Sequence, residues 1–366
     1  MSSTPPREGP LPSASGAETR GDVSVAALSA WLGRPVLAVE RIGGGRNSRI
    51  FKLTLGDGPP LALKAYFRHP GDARDRLGTE FGAFAFLWER GFRNVPQPVA
   101  ADPARGWAAY EFIEGERIGP GRAGEAELAA AVELATQLRE VSRDPASARL
   151  GAASEAFFSV AEILDNIRAR LERLWAVEPT DEPSRELREF LQAELSPTLE
   201  AVARGCAARL AAGGQALTQP LERSQRTLSP SDFGFHNALR RADGRVIFLD
   251  FEYFGWDDPA KMISDFLLHP AMELGPDLKR RFVSGLLTRF DDWPWLGARL
   301  EAVYPLFGLK WCLILLNEFL PEALRRREFA AVTPTERASL QREQLARARR
   351  MLERVRGDHD SFPYRA

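Results

Sequence analysis

The sequence predicts an α+β chain in two lobes, a small antiparallel-sheet N-lobe followed by a larger, mainly helical C-lobe. Three observations carry this expectation. Residues 35–113 alternate short β-type runs with glycine-rich punctuation and contain a single helical stretch. From Gly115 onward, apolar residues recur at three- and four-residue spacing over long stretches. A chain of 366 residues is long enough for two such units, at ~150 residues per domain.

The elements follow in order. Residues 1–21 are rich in Pro, Ser and Gly and lack an apolar core, which predicts a disordered tail and argues against a signal peptide. Val23–Leu32 has a helical pattern with Asp22 as its N-cap. Leu37–Arg41, Ser48–Leu55 and Leu61–Tyr66 read as strands. They are separated by Gly43-Gly44-Gly45 and by Gly56-Asp57-Gly58-Pro59, the second a hairpin signal. A helix is expected over Arg74–Glu89, stopped by Gly91, and strands over Val99–Ala101 and Trp107–Ile113. This places an N-lobe at 22–114 and a C-lobe at 115–366.

Within the C-lobe, helices are predicted at Glu125–Val141, Ser154–Trp175 and Ser184–Leu210. Thr227–Asp250 interrupts them with two short apolar strands, Asn237–Arg240 and Val246–Leu249, around an Ala-Asp-Gly-Arg turn. Val303–Leu320 is the most apolar stretch, but it contains Pro305, Lys310, Asn317 and Glu318. A span needs ~20 largely apolar residues, so a buried core helix is expected. The last helix, about Thr335–Arg356, is basic: Ala323–Arg356 holds ten Arg and four Glu. With no aromatics between the arginines of this helix, a solvated face is expected and not a nucleic-acid surface.

Composition excludes several function classes. Forty-nine basic and 50 acidic residues leave a net charge of −1, which gives no electrostatic reason to expect nucleic acid or membrane as partner. The two cysteines, Cys206 and Cys312, are far apart and read as inert thiols of a reducing compartment, the cytoplasm. The four histidines show no paired ligand spacing, so structural zinc is not expected. There is no GxxxxGK[ST] loop and no GxSxG elbow, and the Gly43–Ser48 run opens onto a strand, unlike a dinucleotide fingerprint.

Four places remain that could carry chemistry. The turn Gly43-Gly44-Gly45-Arg46-Asn47-Ser48 could bring backbone N–H groups close to phosphate, or be an ordinary hairpin turn. Lys64 shares a strand face with Ala62 and Tyr66 and needs an anion, with Glu80 a candidate, unless it is an exposed edge lysine. Asp232 and Asn237 lie in a loop that Pro230 and Gly234 keep from being helical; an Asx turn is the plain alternative. Asp250 ends an apolar strand, where it could simply cap the next turn. Two carboxylates and an amide oxygen at one hairpin mouth make a hard-oxygen site suited to Mg²⁺.

Taken in this order, the parts resemble those of the aminoglycoside phosphotransferase and choline kinase-like superfamily, small-molecule kinases of the protein-kinase-like fold. The resemblance runs from about Val36 to Leu320. Its GGxxN turn is met by Gly44, Gly45, Asn47 and Ser48, its strand lysine by Lys64 and its helix glutamate by Glu80. The segment Tyr110-Glu111-Phe112-Ile113-Glu114-Gly115 is similar to the hinge between lobes. The Asp-x4-Asn loop and Leu249-Asp250-Phe251-Glu252 match most specifically, their aspartates 18 residues apart. Gly255-Trp256-Asp257-Asp258-Pro259-Ala260 resembles a Gly-x-x-Asp-Pro-Ala segment, with the following acid displaced to Asp265. The usual catalytic loop, HGDxHxxN, is altered: Pro230, Ser231 and Gly234 stand where it has His, Gly and His, and a histidine appears at His236 instead.

The resemblance implies ATP and Mg²⁺ as cofactors and a small-molecule hydroxyl as acceptor. It implies Asp232 as the base or hydroxyl-orienting group, and Asn237 and Asp250 on two Mg²⁺ ions. Lys64, oriented by Glu80, would hold the non-transferred phosphates. The amides of Gly44–Ser48 would cover the triphosphate, and backbone groups near Glu111 and Ile113 would meet adenine. A nucleotide-binding module without activity, and a kinase acting on protein, are the alternatives. Asp232, Asn237 and Asp250 are all present, against the first; no Ala-Pro-Glu end to an activation segment is recognisable, against the second. Glu252, Asp257 and Asp258 are acids that could serve the ammonium groups of an aminoglycoside, or bind metal, or cap turns.

Overall fold

A computed structural model describes residues 23–44, 47–67, 74–321 and 334–364. The expected N-terminal tail and Gly45 lie outside these residues. The chain packs as two compact units, Met1–Arg68 with Ala100–Phe112, and His69–Val99 with Ile113–Ala366. The helix expected inside the N-lobe therefore packs as part of the second unit.

The first unit is built on a sheet of strands β1 (Val36–Gly44), β2 (Ser48–Leu55), β3 (Leu61–Tyr66), β4 (Pro98–Asp102) and β5 (Trp107–Glu111), in the order β1-β2-β3-β5-β4. The β1–β2, β2–β3 and β3–β5 pairs are antiparallel. Helix α1 (Val25–Leu32) covers it through Leu28, which joins Val36, Leu53, Leu55, Leu61, Leu63, Trp107 and Ala109 in one apolar core. The cap of α1 is Ser24, whose side chain accepts from Ala27 N at 3.3 Å. Asp22, expected in that role, lies outside the described residues. Gly33 ends the helix at φ 63°, a left-handed conformation open to glycine at little cost.

The second unit is mainly helical. Its helices are α2 (Arg76–Trp88), α3 (Glu125–Val141), α4 (Val160–Trp175), α5 (Glu182–Glu189), α6 (Ser196–Ala212), α7 (Pro259–Leu268), α8 (Pro276–Arg289), α9 (Leu296–Leu315) and α10 (Pro334–Asp358). The apolar stretch lies in α9 and the 3₁₀ turn after it. Helices α4, α6, α7 and α10 pack around α9, and 72% of its most apolar window is buried, so it is the core helix of this unit. Two expected helices differ in extent. Ser159 caps α4 together with Glu162, which keeps 154–159 out of the helix. A π-helical turn over Phe190–Leu195 separates α5 from α6, where one helix was expected. The basic helix α10 is not simply solvated: Arg342 pairs with Glu182, Arg349 with Glu194 at 3.2 Å, and Arg356 donates to Thr198 Oγ1 at 2.9 Å.

Short strands within the helical unit position its acidic residues. Strands β6 (Glu116–Arg117), β8 (Ala238–Arg240) and β9 (Val246–Phe248) form one antiparallel sheet, and β7 (Thr227–Ser229) pairs with β10 (Gly255–Asp257) in another. Asp232 follows β7, Asn237 precedes β8, Asp250 follows β9 and Asp258 follows β10. The loop holding Asp232 is anchored by its own phenylalanines. Phe233 packs on Phe248 and Phe266 at 5.5 and 5.0 Å, and Phe235 on Phe266 at 5.4 Å. Phe266 in turn stacks on Phe282 at 3.9 Å. Phe233 and Phe235 are buried while Asp232 and His236 stay half-buried, with a 3₁₀ turn over Phe235–Asn237 closing the loop.

Candidate active site

In the first unit, β3 lies between β2 and β5, so Lys64 is not an edge lysine. It stands in register with Ile50 and Ala108 and is only 8% exposed, with its Nζ 5.0 Å from the Tyr66 ring. Tyr66 and Tyr110 share a hydrogen bond of 2.9 Å across the strands. At the head of β2 Ser48 is buried, and Asn47 accepts from Phe67 N at 2.8 Å, fixing the end of the glycine-rich turn that Gly44 begins. Glu111, half-buried, faces Leu61 in the register of β5.

In the second unit, Ile113 is buried, and three carboxylates converge. Glu80, on α2, and Asp250 and Glu252, after β9, offer oxygens all within 4.8 Å of one another. Glu80 and Glu252 are buried and Asp250 is half-buried; Arg76 Nε lies 3.5 Å from Glu252 Oε1. Glu252 thus belongs with Glu80 and Asp250 and not with a surface that could take ammonium groups. Asp250 has φ 64°, a conformation costly for a residue with a Cβ. Glu80 and Lys64, expected to act together, are placed in separate units, each described on its own.

Asn237 and Asp250 are brought together by hairpin pairing. Leu249 N donates to Asn237 O at 2.7 Å, just beyond the β8–β9 ladder, so Asp250 follows immediately. The Asn237 amide is turned: its Nδ2 donates to Asp232 Oδ2 and Asp232 O, both at 3.1 Å. A planar amide so held presents Oδ1 on its opposite side. The carboxylates of Asp250, Glu80 and Glu252 are an all-oxygen donor set, and it fits Mg²⁺.

Asp232 is held by two hydrogen bonds, with a second imidazole nearby. His236 Nε2 donates to its Oδ1 at 3.0 Å, Asn237 holds Oδ2, and His269 Nε2 lies 3.7 Å from Oδ1. Burial raises the Asp232 pKa, but the bond and charge of His236, the charge of His269 and the Asn237 amide outweigh it and bring it down to about 2. The His236 and His269 rings stack in parallel, 3.8 Å between centroids and 2° between planes. Asp232, His236 and His269 could in composition hold a cation. Two parallel rings at that distance, however, cannot both aim in-plane lone pairs at one ion, and the arrangement serves hydrogen bonding.

The altered loop residues have physical counterparts. A Cβ at Gly234 would lie 2.6 Å from His236 Nδ1 and 2.8 Å from Met272 Sδ, so the His236 ring sits where a side chain at 234 would need room. Ser231 takes φ 65°, which favours glycine, and is held there by its hydroxyl. Oγ donates to Ser154 O at 2.9 Å and accepts from Lys261 Nζ at 3.2 Å. Lys261, on α7, is 1% exposed and also meets Asp257 at 2.8 Å and Asp265 at 3.2 Å. Burial opposes its charge, but the two carboxylates prevail and raise its pKa. Asp258 caps α7 through Ala260 N at 2.8 Å and pairs with Arg299 at 2.8 Å. Asp257 and Asp258 are fully buried ion-pair partners, which corrects the expectation that they could receive ammonium groups.

The sequence matches the description "Phosphotransferase enzyme family" over residues 38–299, well over half of the chain. The chain belongs to this family. Solved structures of the same fold include spectinomycin phosphotransferase APH(9)-Ia with ADP and spectinomycin, at 13% identity over 88% of this chain and 98% of that one, with a TM-score of 0.59. Choline kinase LicA from Streptococcus pneumoniae is 16% identical over 90% of this chain and 97% of that one, at 0.55. A choline kinase from Cryptosporidium parvum Iowa II is 13% identical over 88% and 90%, also at 0.55. No curated protein matches the chain. The expected α+β, protein-kinase-like fold is the one found.

Sequence reasoning missed His269, Trp311 and Lys261. His269 and Trp311 have no motif around them, and only the third dimension brings them to Asp232. Lys261 had a signal: aspartates at 257 and 265 flank it by one helical turn on either side.

Two predictions follow from this geometry. Ser231→Ala and Ser231→Gly both lose the hydroxyl, but only glycine relieves the positive φ. Ser231→Gly is expected to be the more stable by about 1 kcal/mol in urea denaturation. Burial, reinforced by the repulsion of His236, lowers the His269 pKa to about 4 against the attraction of Asp232 and Asp265. The unfolded ring therefore binds its proton first as pH falls, and stability drops from about pH 6.5 to 4. Titrating unfolding free energy is expected to show that loss, about 1–3 kcal/mol, in the wild type and not in His269→Phe.

Proposed function

We propose that this family member transfers the γ-phosphoryl group of ATP to a hydroxyl of a small molecule, with Asp232 receiving or orienting the hydroxyl proton. The observation that carries this reading is the fixed carboxylate of Asp232, one oxygen bonded by His236 and the other by the Asn237 amide whose own oxygen faces away. The ADP bound to the spectinomycin phosphotransferase supports a nucleotide as donor.

Phosphoryl transfer asks mainly for alignment and charge neutralisation. Asp232 is a weak base with a pKa of about 2. It suits a reaction in which the hydroxyl loses its proton late, as the bond to phosphorus forms. Until then the carboxylate aims the hydroxyl. Asn237 and Asp250 would hold Mg²⁺, backed by Glu80 and Glu252; the ion's contribution is to neutralise phosphate charge. In the first unit, Lys64 would meet the non-transferred phosphates, the amides of Gly44, Gly45, Asn47 and Ser48 would cover them, and backbone groups at Glu111 would meet the base, as would Ile113 from the second unit.

The acceptor is narrowed by pairing. Asp257 and Asp265 share Lys261, Asp258 takes Arg299, and Glu155 meets Lys310 at 3.2 Å and Arg170. Burial works against the Glu155 charge, but Lys310 and Arg170 bring its pKa down to about 2. Carboxylates already neutralised by buried cations are poor receivers for several ammonium groups. A sugar or an amino alcohol therefore fits better than a polycationic aminoglycoside. Two free, buried thiols, Cys206 and Cys312, fit the reducing cytoplasm as the place of action.

A screen of ATP turnover over hydroxylated metabolites, with and without Mg²⁺, tests the reading. Asp232→Asn is expected to cut kcat by about 100-fold or more while leaving the ATP Kd within about twofold. Retention of half the wild-type kcat would remove Asp232 from the mechanism. Asp250→Ala is expected to make ATP affinity independent of Mg²⁺ by calorimetry; undiminished Mg²⁺ enhancement would refute its role as ligand.

A further inference from the structure

The ring of His269 is fixed on every side that the described residues show. It caps the C-terminus of α7, its backbone N–H donating to Asp265 O at 2.9 Å. One face stacks on His236. Trp311 packs edge-on at 4.7 Å, and its Nε1 donates to Asp265 Oδ1 at 2.9 Å. Ala271 N donates to His269 Nδ1 at 3.2 Å. A ring nitrogen that accepts a hydrogen bond carries no proton, so in the neutral ring the proton sits on Nε2. Burial, which lowers the His269 pKa to about 4, keeps the ring in that neutral form.

His269 Nε2 is thus a donor, and it lies 3.7 Å from Asp232 Oδ1, beyond hydrogen-bond reach. Two polar atoms at that separation leave room for one oxygen within bonding distance of both. The close donor to Oδ1 is already His236, at 3.0 Å. From this we infer that His269 binds the acceptor: its Nε2–H donates to the oxygen of the hydroxyl whose proton Asp232 Oδ1 accepts.

This inference rests on the phosphotransfer reading above and adds a second contact to the reacting hydroxyl. In the step itself the hydroxyl oxygen bonds to the γ-phosphorus, the bond from that phosphorus to the β,γ-bridging oxygen breaks, and ADP leaves. The hydroxyl proton passes to Asp232. The His269 proton does not move; its role is to fix the oxygen's position. Such a clamp selects an alcohol or water, each able to donate to Asp232 and accept from His269 at once.

Water is the smallest such acceptor, so MgATP hydrolysis by the full chain is the probe. His269→Phe keeps an aromatic ring and removes the donor; His269→Gln loses the ring and retains an N–H near the Nε2 position. Hydrolysis is expected to fall about tenfold in His269→Phe with the ATP Kd unchanged, and to recover severalfold in His269→Gln. Wild-type hydrolysis in His269→Phe, with Asp232→Asn inactive, would overturn the inference and leave the phosphotransfer reading standing. Hydrolysis that survives Asp232→Asn, or is absent from the wild type, would overturn both. Nitrogen-15 spectra of labelled histidine add a readout independent of turnover. The Nε2–H tautomer is expected for His269 at pH 7, and the Nδ1–H tautomer would overturn the inference whatever the rates.

Discussion

A single buried ammonium, that of Lys261, ties the loop that holds Asp232 to the rest of the helical unit. It meets Asp257 at the end of β10, Asp265 one turn along α7 and the hydroxyl of Ser231 next to Asp232. Through Asp265 the same network reaches Trp311 on α9, and through Trp311 the ring of His269. Desolvating such a group is costly, and removing it would leave two buried carboxylates uncompensated. A buried ion pair is weak evidence for stability as such. Its use here is geometric, because β10, α7 and the loop after β7 meet at one point charge and cannot shift separately.

That constraint accounts for how a catalytic loop with altered residues keeps its shape. Ser231 stands where the resembling family has glycine, and it takes the left-handed conformation that glycine takes easily. The cost is offset by two hydrogen bonds through a hydroxyl that glycine lacks. Gly234 and His236 are coupled differently. The imidazole of His236 fills the space a side chain at 234 would need, and reaches Asp232 from there. The departure from HGDxHxxN is therefore compensated at two positions, and Asp232 remains held by an imidazole and an amide.

The fold was legible in the sequence where periodicity and punctuation agree. The sheet strands, the hairpin at 238–248 and the core helix α9 show their signals locally: alternation, paired glycines and a continuous apolar run. The π-helical break after α5 was not legible, since its residues keep a helical spacing and the extra residue is absorbed in the backbone. At the site, Asp232, Asn237 and Asp250 stood out because loop and strand-end positions make polar residues conspicuous. His269 and Trp311 did not, since each sits in an apolar helical context and gains meaning only from what folds against it. The acids Glu252, Asp257 and Asp258 were visible, but the sequence left ammonium binding, metal binding and turn capping open for them. Arg76 and Arg299, the partners of Glu252 and Asp258, lie 176 and 41 residues away, which no local pattern reports, whereas Lys261 is only four residues from Asp257.

Pairing of that kind also shapes what the site can recognise. An acid already matched by a buried guanidinium or ammonium contributes little net field outside it, so a ligand's cations gain little by approaching. Around Asp232 the groups left to a ligand are hydrogen-bonding and aromatic: a carboxylate with one side open, a neutral imidazole and the half-buried indole of Trp311. On the proposed reading, selection there rests on the direction of a hydroxyl's donor and acceptor, which discriminates by geometry and not by charge. A site of this sort loses affinity for any acceptor that can satisfy only one of the two partners, because the other is then left desolvated and unpaired.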